Sequence, residues 1–190
     1  MNSKRNILIV LSGPSGVGKG TIAKILVKRN PEISLSVSCT TRLPRTGETD
    51  GVDYFFTDVD TFKEKINAGG FLEYSKHFEN LYGTPKDFVS EKLKTNDVLL
   101  EIDVNGGLNV KNNFPNAVLI FIIPPSVEEL HDRLTKRHTE SEEMIDLRLR
   151  RLDYELGKKD LYDYRVINDD LETAVKEIEN IIRTEKNCVL

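Results

Sequence analysis

The sequence predicts an α/β fold in which a parallel sheet carries helices on both faces, joined by a small mixed α/β insert and a charge-dense helical segment. Continuous β-branched and leucine runs predict strands that are buried on both sides, as in parallel sheets. Four such runs span Ile7–Leu11, Asp97–Ile102, Ala117–Ile123 and Tyr164–Ile167. Apolar residues at helical spacing in Thr21–Lys28, Ser126–Lys136 and Leu171–Glu185 predict helices that connect the strands through right-handed crossovers.

Two stretches interrupt this alternation. Residues 34–84 hold short alternating runs, at Ile33–Val37, Asp53–Thr57 and Phe71–Tyr74, and these predict a partly antiparallel insert. Residues 137–151 are rich in both signs of charge. We therefore expect a single domain with a core of residues 1–33, 85–136 and 152–190.

Composition limits the function classes. The chain has 190 residues, 38% of them hydrophobic, which fits one globular domain with a packed core. A net charge of -4 argues against a general nucleic-acid binder. The two cysteines form no disulfide framework or metal pattern, and no apolar run is long enough for a leader or a membrane span. We expect a cytoplasmic protein without a nucleic-acid, membrane or obligate protein partner.

The segment Gly13–Thr21, GPSGVGKGT, lies where the first predicted strand turns into a helix. In that setting a glycine-rich loop brings backbone N–H groups and a helix N-terminus close to phosphate oxygens. Lys19 would bridge the β- and γ-phosphates as a point charge. The predicted ATP-binding residues of this loop are Ser15, Gly16, Val17, Gly18, Lys19, Gly20 and Thr21.

The residue after Lys19 departs from the strict phosphate-loop pattern. That pattern has Ser or Thr directly after the lysine, where the hydroxyl holds Mg²⁺. Here the position is Gly20, and the first hydroxyl belongs to Thr21. Thr21 is therefore the candidate metal residue, either as a direct ligand or through a phosphate or a metal-bound water.

A second segment carries two arginines and a carboxylate at intervals of three. Arg42 and Arg45 could each hold a phosphate with two hydrogen bonds, and Glu48 could fix such an arginine in place. Tyr54 adds a hydroxyl donor. Two arginines in a loop are, by themselves, more often solvated surface charge.

Taken together, these motifs resemble the guanylate kinase family from Ile7 to about Glu185. The matching stretches are GPSGVGKGT, SVSCTTRLPRTGETDGVDYFF, GGFLEY, YGT, LLEIDVNG, KRHTESEEMIDLRLRRL and VINDDL. The resemblance implies transfer of the γ-phosphoryl group of ATP to GMP, and to dGMP, with Mg²⁺ as cofactor. It implies a helical lid at residues 137–151 that brings Arg137 and Arg148 over the ATP phosphates, and it places Asn168 near the adenine.

The resemblance also implies a set of acceptor residues. Arg42, Arg45, Tyr54 and Tyr82 would bind the GMP phosphate. The full predicted GMP-binding set is Ser38, Arg42, Arg45, Glu48, Tyr54, Glu73, Tyr82, Thr84 and Asp103, and the predicted catalytic set is Lys19, Arg42, Arg137 and Arg148.

The base assignment, which the resemblance gives to Ser38, Glu73 and Thr84, is consistent with the chemistry of guanine. Its N1–H and exocyclic amine are two donors on one edge, and one carboxylate, Glu73, can accept from both. Adenine has an acceptor at N1, which the carboxylate would repel. Asp103 could serve a metal-bound water or the acceptor ribose, or it could cap a helix, since Asn105 and two glycines follow. The family usually has Gln where this chain has Asn105.

Two other functions stay open from the sequence. A kinase for another monophosphate, such as AMP, is disfavoured by Glu73 and Ser38. A non-catalytic protein-binding module of guanylate kinase-like fold would not need the phosphate loop with Lys19. Phosphoryl transfer to a phosphate anion needs no nucleophilic side chain, so positioning, Mg²⁺ and cations suffice.

Overall fold

The computed structural model describes residues 5–77, 79–130 and 150–188, apart from the side chains of His77 and Cys188. The described strands and helices are, in chain order, β1 (Leu8–Ser12), α1 (Lys19–Arg29), β2 (Ile33–Leu35), β3 (Cys39–Thr40), β4 (Phe55–Phe56), α2 (Val59–Asn67), β5 (Phe71–His77), β6 (Asn80–Pro85), α3 (Lys86–Lys92), β7 (Asp97–Glu101), α4 (Val104–Asn113), β8 (Val118–Ile123), β9 (Tyr164–Ile167) and α5 (Leu171–Cys188). Residues 127–130 and 150–156 are also helical, and a 3₁₀ turn spans Lys159–Leu161.

Five parallel strands form the first sheet, in the spatial order β2-β7-β1-β8-β9. In the middle of the sheet, Ile9 of β1 lies between Leu99 of β7 and Val118 of β8. The predicted α/β fold with a parallel sheet is confirmed, and the four predicted apolar runs all lie in this sheet.

The first sheet has an apolar layer on each face, because successive strand residues point to opposite sides. Ile9 and Leu11 pack on the face that α1 and α5 cover. Leu8 and Val10 pack on the face that α4 covers. All four side chains are fully buried. Burial of each such side chain stabilises the fold by about 1.5–3 kcal/mol, which makes the sheet a rigid base for the loops at its edge.

Four short strands form the second sheet, in the order β4-β3-β6-β5. β6 pairs antiparallel with both β3 and β5, whereas β3 and β4 are parallel. The sequence analysis assigned the run Ile33–Val37 to the insert, and that assignment is wrong for its first part. Ile33–Leu35 forms β2, which pairs in parallel with β7 and so adds an edge strand to the first sheet.

The C-terminal helix α5 is held to the core at both ends. Near its start, Glu172 accepts two hydrogen bonds from Arg29, with N–O distances of 3.1 and 2.6 Å. Near its end, Lys186 Nζ lies 2.5 Å from Oδ2 of Asp97, a carboxylate with no solvent exposure. Among the described residues, no helix is both long enough and apolar enough to cross a membrane.

Candidate active site

The glycine-rich loop joins β1 to α1 at the carboxyl edge of the first sheet, where ligands of open α/β sheets bind. Gly13 has a φ of 143°, and a Cβ there would lie 2.4 Å from the carbonyl oxygen of Ile122, so only glycine fits. Lys19 folds back over the loop, with Nζ donating to the carbonyls of Gly13 at 2.7 Å and Pro14 at 3.0 Å. The lysine ammonium therefore lies across the loop, where the sequence predicted a phosphate ligand.

Asn168 supports this loop from the end of β9. Its side chain is only 5% exposed, and Nδ2 donates to the carbonyl of Val17 at 2.7 Å. A Cβ on Gly18, whose φ is 100°, would lie 2.6 Å from the same nitrogen. The amide thus fixes the backbone of the loop, a contact that the sequence analysis did not anticipate. Its predicted position near an adenine stays a prediction.

One face of the second sheet is polar. Pairing of Thr40 with Tyr82, Tyr82 with Ser75, and Thr84 with Glu73 puts these side chains on the same side. Three of them, Thr40, Glu73 and Thr84, are buried. Buried polar side chains are costly unless they have partners, so their concentration on one face indicates a binding surface.

The opposite face is aromatic. There Phe62 of α2 stacks on Phe71 with ring centroids 4.5 Å apart, and Phe55 meets Phe88 edge-on at 5.9 Å. A Cβ on Gly83 would lie about 3 Å from both stacked rings, so glycine is needed for this close approach. This layer fixes the position of the polar face.

Arg42 is held by a carboxylate and two rings. Nη2 lies 2.8 Å from Glu48 Oε1, and the guanidinium lies 5.4 Å from the Tyr54 ring centroid and 5.9 Å from that of Phe56. The other oxygen of Glu48 accepts from the backbone N–H of Arg45 at 2.7 Å. The Arg42 hydrogen bond keeps the pKa of Glu48 below its ordinary value, and the same bond raises the pKa of Arg42. Glu48 therefore orients the guanidinium of Arg42 and fixes the backbone at Arg45.

Two tyrosines stand beside this pair. The rings of Tyr54 and Tyr82 meet edge-on at 6.1 Å, and the Tyr82 hydroxyl adds to the raised pKa of Arg42. Burial, with a smaller effect of the nearby Glu101 carboxylate, raises the pKa of Tyr54. The raised pKa keeps the phenol of Tyr54 a neutral donor at physiological pH, which suits an anionic ligand.

Glu73 is the buried carboxylate of the polar face, with 5% of the residue exposed. Its Oε1 accepts from Thr84 Oγ1 at 2.6 Å. Its Oε2 lies against the first turn of α4, where a Cβ on Gly106 would come within 2.8 Å. The carboxylate is thus fixed between a hydroxyl and a glycine in a setting that can discriminate among ligand donors.

Asp103 caps α4. Its Oδ1 accepts from the N–H groups of Asn105 at 2.8 Å and Gly106 at 3.0 Å, and its Oδ2 accepts from Ser75 Oγ at 2.7 Å. The capping alternative considered from the sequence is therefore confirmed. A contact of this carboxylate with the acceptor stays a prediction.

The comparisons with known proteins decide the family. A protein-family model described as guanylate kinase matches residues 5–185. The guanylate kinase of Caldanaerobacter subterraneus subsp. tengcongensis is 52% identical over 184 residues, which cover 96% of this chain and 89% of that protein. The chain belongs to the guanylate kinase family.

Two further members of the guanylate kinase family extend this result. The guanylate kinase of Clostridioides difficile is 51% identical over 187 residues, covering 98% of this chain and 91% of its own length. The crystal structure of guanylate kinase from Anaplasma phagocytophilum matches with a TM-score of 0.81 and 34% identity, over 98% of this chain and 89% of that one. The likeness therefore extends to the whole fold, as the sequence resemblance predicted.

The guanylate kinase family implies a metal bound with the donor nucleotide, and the residues around Gly20 fit Mg²⁺. The carboxylate oxygens of Glu101, at the end of β7, lie 3.3 Å from the place of a Cβ on Gly20. Thr21 is exposed in the first turn of α1. Among the described residues no cluster of three or more His, Cys, Asp or Glu could hold an ion by itself. Mg²⁺ needs only one or two oxygen ligands from the protein, because it keeps several of its waters and binds the phosphates of the substrate. Glu101 was not among the residues predicted from the sequence.

Other predicted residues of the family site are distributed as follows. Ser38 lies just before β3, and its predicted contact with the base stays a prediction. Arg137 and Arg148, and with them almost all of the predicted lid at 137–151, lie outside the described residues.

Asn105, which departs from the usual Gln of the guanylate kinase family, has partners here. Its Oδ1 accepts from Lys158 Nζ at 2.7 Å and from the Tyr154 hydroxyl at 3.1 Å. The shorter amide therefore joins α4 to the segment that follows residue 149, a contact that the sequence did not reveal.

Proposed function

We propose that this member of the guanylate kinase family transfers the γ-phosphoryl group of ATP to GMP, and to dGMP, to give ADP and GDP. The observation that carries the proposal is the pairing of two features in one fold. A phosphate loop with Lys19 lies at the edge of the first sheet, and a buried carboxylate, Glu73, lies on the polar face of the second. The first is suited to a triphosphate and the second to a base with two adjacent donors.

The acceptor phosphate is assigned to the cationic end of the polar face. Arg42, oriented by Glu48, and Arg45 supply the charge, and the hydroxyls of Tyr54 and Tyr82 supply further donors. Bidentate arginine contacts fix a phosphate in orientation as well as position. This gives the attacking phosphate oxygen a defined direction.

The guanine is assigned to the other end of that face. Glu73 accepts from N1–H and from the exocyclic amine, while Ser38 and Thr84 supply hydroxyls for the remaining polar atoms. Thr84 already holds Glu73 at 2.6 Å, so the carboxylate need not reorganise when the base arrives. Adenine would bring a lone pair towards the carboxylate, which leaves both groups unpaired and disfavours AMP.

The donor is assigned to the phosphate loop, residues 15–21. Lys19 exchanges its two carbonyl partners for the β- and γ-phosphates, and the loop N–H groups hold the same oxygens. Glu101 and Thr21 would hold Mg²⁺, directly or through its waters, and the ion when bound neutralises charge on the phosphates. Arg137 and Arg148 complete the proposed cationic clamp, and the proposed cellular location is the cytoplasm.

No side chain has to act as nucleophile or base in this reaction, because the attacking group is already a phosphate anion. The chain therefore contributes alignment and charge. The residues proposed to contact the transferred group are Lys19 on the donor side and Arg42 on the acceptor side. Glu48 and Asn168 act through these two regions by fixing Arg42 and the loop.

An ADP-release assay with ATP, Mg²⁺ and a panel of nucleoside monophosphates tests the proposal. We expect turnover with GMP and with dGMP, and very little with AMP, CMP or UMP. Lys19→Ala should abolish turnover, whereas Lys24→Ala, an exposed lysine of the same helix, should leave it unchanged. Absence of GMP-dependent ADP release from the wild-type protein would refute the proposal.

A further inference from the structure

The first turn of α4 is a junction between the two sheets. Glu73 and Ser75 lie two residues apart in β5 and point to the same face. Both reach this turn: Glu73 Oε2 packs where a Cβ on Gly106 would be 2.8 Å away, and Ser75 Oγ lies 2.7 Å from Asp103 Oδ2. The strand that carries the proposed base-recognising carboxylate is therefore attached to the helix at a point directly beside that carboxylate.

Asp103 is rigid because both of its oxygens are used. Oδ1 caps the helix by accepting from two backbone N–H groups, those of Asn105 and Gly106. Oδ2 accepts from Ser75. A hydrogen bond to a charged, partly buried acceptor is among the stronger ones in proteins, so the hydroxyl of Ser75 holds β5 at a fixed distance from α4.

That distance determines where Glu73 can lie. On one side Thr84 Oγ1 holds Oε1 at 2.6 Å, and on the other side the backbone of Gly106 leaves no space beyond Oε2. A shift of β5 away from α4 would open a gap behind the carboxylate and let it turn away from the acceptor base. Hydrogen bonds to the base depend strongly on distance and angle, so small displacements weaken them.

We propose that Ser75 is a positioning residue for the acceptor site, which acts by tying β5 to the Asp103 cap of α4 and so fixing the direction of the Glu73 carboxylate. The inference rests on the proposed function, since it concerns how GMP is recognised. Ser75 itself does not contact the nucleotide in this proposal.

The test is steady-state kinetics on Ser75→Ala with both substrates varied. We expect the KM for GMP to rise about tenfold, the usual effect of losing a hydrogen bond to a charged group. The KM for ATP and kcat should stay within about twofold, since the phosphate loop and the arginines are untouched. Ser36→Ala is the matched control, because Ser36 Oγ is a buried hydroxyl with no hydrogen-bond partner among the described residues. Its two KM values should not change.

A second pair of variants separates the hydroxyl from the size of the side chain. Ser75→Thr keeps the hydroxyl, and Ser75→Val has the shape of threonine without the hydroxyl. Both valine and threonine are favourable residues in a strand. The Val variant should show the raised KM for GMP and the Thr variant should stay near wild type. This pair remains informative even if Ser75→Ala does not fold.

The double variant Ser75→Ala with Glu73→Gln tests whether Ser75 acts on GMP binding through Glu73. If Ser75 acts through Glu73, then Ser75→Ala should add little to the KM for GMP once the carboxylate is gone. An equal effect in both backgrounds, or a lowered melting temperature with both KM values unchanged, would overturn the inference. The same assay measures turnover of the wild-type protein with GMP. Absence of that turnover would refute the proposed function, whereas normal wild-type turnover with an unchanged KM for GMP in Ser75→Ala would refute only this inference.

Discussion

Replacement of Glu73 by Gln removes one charge from the polar face while keeping the shape of the side chain. Thr84 holds one end of the group, and Gly106 leaves no room beyond the other, so the amide must occupy the place of the carboxylate. We expect kcat/KM for GMP to fall far more than the KM for ATP changes, because the donor site is formed by other residues.

The size of the effect follows from the possible amide orientations. The Thr84 hydroxyl can donate or accept, so it accommodates either end of the amide. If the amide oxygen faces guanine, one acceptor serves two donors, and if the NH₂ faces guanine, two donors meet. In either case a charge-assisted hydrogen bond is lost and a buried donor is left unpaired. The sum is about 2–5 kcal/mol, or roughly 30-fold to several thousand-fold in kcat/KM.

The assay is steady-state ADP release with GMP and AMP as acceptors. AMP turnover relative to GMP should rise, because the repulsion of adenine N1 is gone. Glu91→Gln removes an exposed carboxylate of α3 and should change neither acceptor. An unaltered kcat/KM for GMP in Glu73→Gln would remove Glu73 from the base pocket and reopen the identity of the acceptor.

Three further predictions concern the glycine-rich loop, the buried Asp97 and the salt bridge between Arg42 and Glu48. Gly18→Ala should raise the KM for ATP at least about tenfold in kinetic assays, because the residue has a φ of 100° and its new Cβ meets an amide nitrogen at 2.6 Å. Lys186→Met should lower the free energy of unfolding by about 3 kcal/mol and the melting temperature by roughly 6–12 °C. The reason is that the buried Asp97 carboxylate loses its cation and keeps only the backbone N–H that donates to its other oxygen. Glu48→Gln should cost at most about 1 kcal/mol in urea denaturation, since the pair with Arg42 is partly exposed. The pKa of Glu48 in the folded protein is lowered below the ordinary value of 4.5. The difference in free energy of unfolding between wild type and Glu48→Gln should therefore be constant above pH 4.5 and vanish as the pH falls through the lowered pKa.

Each of these has a matched comparison. Gly69→Ala also replaces a glycine of positive φ, here 65°, but at a place where a Cβ meets nothing within 4 Å, so it should leave the KM for ATP unchanged. Lys176→Met breaks an exposed pair with Glu172 and should cost less than about 0.5 kcal/mol. Equal effects in Gly18→Ala and Gly69→Ala would argue against a role of the loop geometry. A Glu48→Gln difference that grows towards acid pH would contradict the assigned pKa direction.

The sequence allowed four of the five strands of the first sheet to be predicted, because those four are continuous apolar runs, a strong local signal. Helix α4 was not predicted, because the segment Val104–Asn113 contains two glycines and four asparagines, which are poor helix formers. Its cap by Asp103 was recognised only as an alternative, and the helix is stabilised by contacts from outside. Gly107, for example, lies so close to Tyr162 that a Cβ would come within 2.3 Å of its hydroxyl oxygen.

Single residues of the site were predictable where they belong to a motif, as with Lys19 and Arg42. Glu101 and Ser75 belong to no such motif. Glu101 approaches Gly20 only because β7 and β1 are neighbours in the sheet, and Ser75 meets Asp103 only because β5 docks on α4. Contacts across long chain separations depend on topology, which no local pattern in one sequence specifies.

The alternation of side chains along β3, β5 and β6 separates the polar face from the aromatic layer. Thr40 and Thr84 lie on the polar face, whereas their chain neighbours Cys39 and Gly83 belong to the aromatic layer. Mutations that redesign acceptor choice can therefore accumulate at every second position while the intervening positions keep the sheet folded. For directed evolution, a library restricted to the polar-face positions should retain a high proportion of folded variants, and new acceptor preferences can be searched for without a compensating stabilisation.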